Sequence, residues 1–135
     1  MAVSLLVLGG GSRGMAYARH ALALGARVAA LAEPRPERRQ AFREAFGLEE
    51  RALFAHWRDL LEAPRLGEAA IVALPDRLHA EAAIALMEKG YHLLLEKPIA
   101  PTWEEEALYA HRLAFLAEEA RRAGGVVETE EGPRP

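Results

Sequence analysis

Residues Gly9-Gly10-Gly11-Ser12-Arg13-Gly14 carry the spacing G-x-G-x-x-G. The motif follows an apolar run, Val3 to Leu8, and opens an alanine-rich stretch with helical spacing, Gly14 to Leu24. In that setting each glycine has a physical task. Gly9 allows a tight turn, Gly11 lets backbone approach a pyrophosphate, and Gly14 lets a helix pack close to a strand. The helix N-terminus then offers N–H groups and positive potential to phosphates. The chemistry is the holding of a dinucleotide. The spacing alone is weak, because glycines are common in turns, and a ligand-free turn is the alternative.

A second group sits 19 residues after Gly14, where Glu33 ends another apolar run. A carboxylate about 20 residues beyond the glycines can accept hydrogen bonds from the adenosine ribose hydroxyls. It also repels a 2′-phosphate, which favours NAD over NADP. Arg35, Arg38 and Arg39 follow closely. They allow two readings, a hold on that phosphate or a solvated helix face. Two further segments end apolar runs. In Leu74-Pro75-Asp76-Arg77-Leu78-His79, Pro75 can shape a wall and His79 falls in the first turn of a helix. In Glu96-Lys97-Pro98, a lysine held at a strand end can donate a proton or orient a substrate oxygen. By residue type alone, His79 is a helix-start residue and the triplet is a loop with an ion pair.

The elements that must position these groups alternate along the chain. Apolar runs at Val3 to Leu8, Arg27 to Ala32, Ala52 to Ala55, Ala69 to Leu74 and Tyr91 to Leu95 read as strands. Helical stretches fall at Gly14 to Leu24, Pro34 to Phe46, Trp57 to Leu61 and Leu78 to Lys89. A long helix starts at Thr102, where Glu105 completes a capping box, and stops at Gly124-Gly125. Val126 and Val127 begin a last strand, and Glu128 to Pro135 is a frayed polar tail. Unbroken apolar strands are buried on both faces. The expected class is therefore α/β, a doubly wound, mainly parallel Rossmann-like sheet with helices on both faces. It forms one dinucleotide-binding domain over 1–127.

Composition excludes several alternatives. The 135 residues are 51% hydrophobic and 27% charged, which supports a packed core in a single domain. The net charge of -3 argues against a broadly basic nucleic-acid surface. There is no cysteine, so disulfides and thiolate metal sites are excluded. His20, His56, His92 and His111 show no metal-ligand spacing, and Trp57 and Trp103 read as core or interface residues. No apolar stretch reaches the roughly 20 residues that span a bilayer. The N-terminus lacks the basic region of a signal peptide, so a cytoplasmic location is expected.

Together the four segments resemble the N-terminal cofactor domain of the Gfo/Idh/MocA oxidoreductases, the family of glucose–fructose oxidoreductase and inositol dehydrogenase. The likeness rests on Gly9 to Gly14, on Ala32-Glu33-Pro34-Arg35-Pro36-Glu37-Arg38-Arg39, on Pro75 and His79, and on Gly90-Tyr91-His92-Leu93-Leu94-Leu95-Glu96-Lys97-Pro98. It runs from about residue 3 to about residue 125, and the Glu-Lys-Pro triplet is its most specific part. The resemblance implies that Gly9, Gly10, Gly11, Ser12, Arg13 and Gly14 hold the pyrophosphate. It implies that Glu33 binds the adenosine ribose, with Arg35 beside it, and that Leu74, Pro75 and His79 line the cofactor cleft. Glu96 would lie near the nicotinamide ribose and Lys97 near the reacting carbon, as a catalytic or substrate-orienting residue. The cofactor would be NAD, with NADP possible.

Relatives of this kind oxidise a sugar or cyclitol hydroxyl and pass hydride to nicotinamide. Some look-alikes with Arg-Gly at the end of the glycine loop use bound NAD for redox-neutral glycoside cleavage. Two departures qualify the likeness. Family members carry a second α/β domain that supplies the substrate pocket, whereas this sequence ends eight residues after Val127. Leu74 stands where relatives often have a small polar residue. The expectation is an inositol 2-dehydrogenase-like, NAD(P)-binding oxidoreductase relative that needs a homodimer or partner chain for catalysis. The alternative is a stand-alone NAD(H)-binding or regulatory module. No metal, nucleic-acid or membrane partner is expected.

Overall fold

β1 (Ser4–Leu8) shows why its residues form a strand with no polar face. Leu5 and Val7 point into one hydrophobic cluster, and Leu6 and Leu8 point into another on the opposite side of the sheet. Alternation therefore demands apolar residues at every position from Leu5 to Leu8. The computed structural model describes residues 2–95 and, beyond them, helical Phe115, Glu118, Glu119 and Arg122.

The remaining strands are β2 (Arg27–Ala32), β3 (Leu53–Phe54), β4 (Ala69–Val72) and β5 (His92–Leu95). All pair in parallel, in the spatial order β3-β2-β1-β4-β5. The helices are α1 (Ser12–Ala23), α2 (Pro36–Phe46), α3 (Trp57–Glu62) and α4 (His79–Glu88), and single 3-10 turns precede β3 and α4. Ala18 of α1 and Phe42 of α2 pack on Leu5, Val7, Leu31 and Ile71. Trp57, Leu60 and Leu61 of α3, with Ala82, Ala83 and Leu86 of α4, pack on Leu6, Leu8, Ala70 and Val72. The sheet is thus covered on both faces, and the doubly wound Rossmann-like arrangement is as expected. The chain leaves α1, α2 and α4 through Gly25, Gly47 and Gly90.

Boundaries differ from the sequence reading by small shifts. α1 starts at Ser12 rather than Gly14, because Gly11 already serves as its N-cap. α2 starts at Pro36 rather than Pro34, with Arg35 in extended backbone. β4 ends at Val72, with the Ala73 N–H still donating to the Leu8 carbonyl of β1 at 2.8 Å. The expected helix from Thr102, the strand at Val126 and Val127, the boundary at 127 and the tail lie outside the described residues.

This strand order reverses between β1 and β4: one half of the sheet grows outward from β1 through β2, the other through β4. Ligands of open α/β sheets bind beyond the strand C-termini at such a point.

Candidate functional site

The glycine turn lies at that reversal. Gly9 follows β1 with φ +96, and its N–H donates to the Ala32 carbonyl at 2.9 Å. A Cβ there would stand 2.3 Å from the Ala73 carbonyl oxygen, beyond the end of β4. Both the backbone angle and the crowding require glycine. A Cβ on Gly14 would stand 1.9 Å from the Gly9 carbonyl oxygen. Alanine would favour the helix by about 1 kcal/mol, but overpacking of this kind costs about 1–3 kcal/mol, so close approach decides. No side chain caps α1, and its first turn contains no acidic residue. The first-turn N–H groups of α1 are therefore left without a side-chain cap at the cleft.

Glu33 follows β2 and is 4% exposed. One carboxylate oxygen accepts from the Gly10 N–H at 3.4 Å, and the other accepts from Arg38 at 3.3 Å. Arg39 donates to the Glu33 carbonyl at 2.8 Å and to the Pro34 carbonyl at 2.9 Å. The reading of these two arginines as a solvated helix face is therefore corrected. A buried carboxylate needs a charged or hydrogen-bonding partner, and α2 supplies one five residues further along the chain. Arg35 remains exposed at the rim.

The open cleft over these elements has a volume of about 920 Å³. Gly9, Gly11, Ser12 and Arg13 form one wall, and Glu33, Pro34, Arg35 and Arg38 form the adenosine-side candidate. Leu74, Pro75 and Leu78 form the opposite wall, with Trp57 beside them. Gly10 and Gly14 lie buried beneath the turn. Among the described residues, five arginines, Arg13, Arg35, Arg38, Arg58 and Arg77, line the cleft with two acidic side chains, Glu33 and Asp76. Its described lining thus carries more basic than acidic side chains on a chain whose net charge is -3. Arg58 lies 4.6 Å from the Trp57 ring centroid and pairs with Glu81.

His79 does not line this cleft. It is fully buried, and its Nε2–H donates to the Leu74 carbonyl at 2.6 Å. It reaches the cleft only by holding the turn that carries Leu74 and Pro75. Trp57 is a core residue, as expected, and also borders the cleft. Arg38 was legible as a charge but not as the Glu33 partner, because sequence does not show which way a helix-face arginine folds back. Glu96 and Lys97 lie outside the described residues. Among the described residues no group of acidic residues and histidines has the arrangement of a metal site, and no helix is long and apolar enough to cross a membrane.

Comparison with known proteins is consistent with this geometry. A family model described as "Oxidoreductase family, NAD-binding Rossmann fold" (GFO_IDH_MocA) matches residues 3–126. Inositol 2-dehydrogenase from Streptomyces avermitilis is 34% identical over 121 residues, covering 83% of this chain and 34% of the relative. Levoglucosan dehydrogenase from Pseudarthrobacter phenanthrenivorans is 39% identical over 80 residues, covering 58% of this chain and 20% of the relative. The chain thus spans no more than about a third of the length of these relatives. The structure of myo-inositol 2-dehydrogenase from Lactobacillus plantarum superposes with a TM-score of 0.79 at 17% identity, covering 96% of this chain and 36% of that one. At that identity the likeness concerns the fold.

Proposed function

The chain belongs to the Gfo/Idh/MocA oxidoreductase family, with its NAD-binding Rossmann fold, and from this premise we propose that the cleft holds a nicotinamide dinucleotide for oxidation of a sugar or cyclitol hydroxyl. The observation that carries the proposal is the glycine turn at the sheet's reversal point. Gly9 and Gly14 exclude any Cβ, and the amino end of α1 points into a cleft whose described lining carries more basic than acidic side chains. The relatives named for inositol and levoglucosan supply the substrate class.

The residues present fit the cofactor. The N–H groups at the start of α1, with Ser12 and Arg13, would bind the pyrophosphate. Glu33, Arg35 and Arg38 would surround the adenosine ribose. Leu74 and Pro75 would form the apolar wall, with His79 holding their turn from behind. The bound nicotinamide would accept a hydride from the carbon bearing the substrate hydroxyl. Glu96 is proposed beside the nicotinamide ribose. Lys97 is proposed to orient the substrate oxygen and to hold or take its proton. A homodimer or a partner chain would complete the substrate pocket, and light scattering on the purified protein tests this part. A dimeric mass is expected; a monomer would refute self-association.

Calorimetric titration with NADH and then NADPH tests the cofactor assignment. We expect micromolar affinity for at least one of them. No binding of either by folded protein would overturn the assignment. For the reaction, Lys97→Ala should abolish polyol oxidation in the completed enzyme and leave cofactor affinity unchanged. An unaffected rate would remove Lys97 from the reaction.

A further inference from the structure

A second hollow, of about 830 Å³, opens on the α1 face of β4 and β5. Leu5, Ile71 and Leu94 of the sheet line it, and Leu24 at the end of α1 forms a lip. Leu24 is 89% exposed, and Val3, which also borders the hollow, is 45% exposed. The hollow lies toward the strand N-termini and shares no lining residue with the cleft proposed for the cofactor. Apolar side chains left open together in this way gain from a surface that covers them.

We propose that this hollow is a self-association surface, on which a second copy of this chain docks about a two-fold axis, each Leu24 seated in the hollow of the other copy. The proposal is independent of the cofactor reading.

Three observations carry it. First, the continuation of the chain is directed elsewhere. It leaves β5 at Leu95, at the cleft end of the sheet, whereas the hollow opens toward the other end. The β4–α4–β5 crossover packs on the opposite face, and a further outward crossover of the same hand packs there too. Second, a projecting apolar residue and an apolar hollow occur in one patch. A two-fold contact requires such a self-complementary surface, in which the same patch supplies both partners. Third, the polar rim is complementary in the same sense. Glu68 precedes β4 and His20 lies in the last turn of α1, so a carboxylate acceptor stands on one side of the hollow and an imidazole N–H donor on the other. Neither has an ion-pair partner among the described residues. A two-fold rotation brings each Glu68 toward His20 of the other copy, around an apolar centre. Both clefts stay open in this dimer, so a partner chain, rather than the second copy, completes the substrate pocket.

Sedimentation equilibrium on the purified protein tests the proposal. Wild type should dimerise with a micromolar dissociation constant. Leu24→Glu alters a side chain too exposed for the fold to depend on it, and should weaken association about 100-fold, because each dimer loses two anchors. Glu68→Lys should weaken association about 10-fold, and adding His20→Glu should return it to within about 3-fold of wild type, since the swap restores the pair with reversed polarity. Wild type that stays monomeric at submillimolar concentration would overturn the proposal. So would Leu24→Glu protein that associates as tightly as wild type, which would place self-contact on another surface. A double variant that associates no better than Glu68→Lys alone would overturn the two-fold pairing on which the proposal stands.

Discussion

His79 shows how a single buried polar group can serve a site that it does not touch. Its Nε2–H donates to the Leu74 carbonyl, and the ring is closed off from solvent. That bond fixes the turn between β4 and α4, and the turn carries the Pro75 wall. His79→Leu would leave the carbonyl without this donor in a buried setting, a loss of about 1–3 kcal/mol. We expect chemical denaturation to show that loss, and cofactor affinity to fall as the Pro75 wall loosens. His79→Gln, which keeps an N–H donor, should recover part of both. Unchanged affinity in His79→Leu, at an affinity measurable in wild type, would separate His79 from the site. The sequence placed this histidine correctly at the start of a helix. It could not show the burial, because a histidine there is equally at home facing solvent. The same holds for Arg38: its charge is plain in the sequence, but its bond to a carboxylate five residues back depends on how α2 leaves β2.

At the scale of elements, much was legible because strands buried on two faces must be apolar at every position. β1 and β2 were found to within one residue for that reason, and glycines marked where three helices give way. What was not legible was the helix start at Ser12, since the motif reads as a turn and only the backbone of Gly11 reveals the cap. Nor does the sequence disclose how α4 is fastened at its far end. Arg65 does this by donating to the Gly67, Lys89 and Gly90 carbonyls, each at 3.0 Å, while its guanidinium lies 4.4 Å from the Tyr91 ring centroid. One planar fork thus satisfies carbonyls at the end of α4 and ties them to the approach to β4. This fastening lies at the strand N-termini, the opposite side of the sheet from the cleft. Arg65→Ala should therefore lower stability by about 1–2 kcal/mol, the modest value reflecting its exposure. Cofactor affinity should stay within about 3-fold in a calorimetric titration. A larger change in affinity would show that the two ends of the sheet are coupled.

The whole molecule links these scales, because the cleft lies where the C-terminal ends of β1, β2 and β4 converge. A dinucleotide seated there would bridge the α1 amino end, the Glu33–Arg38 pair and the Pro75 turn. Those three groups come from distant parts of the chain and meet only when the sheet is formed. The unfolded chain therefore offers no comparable site, and binding must add to folding stability by mass action. At a free concentration 100 times the dissociation constant, the gain is about 2.7 kcal/mol, and each further tenfold adds about 1.4 kcal/mol. For a chain of 135 residues this should raise the melting temperature by about 10 °C, visible in a scanning calorimetry series against cofactor concentration. The rise should continue past the concentration that saturates the site at room temperature, since linkage depends on the logarithm of free ligand. Added salt should reduce it, because the attraction rests on arginines at an open, solvent-screened cleft. A cofactor that binds in titration but leaves the melting temperature unmoved would mean that it does not join these three groups. The convergence of strand ends would then organise the fold without organising the ligand.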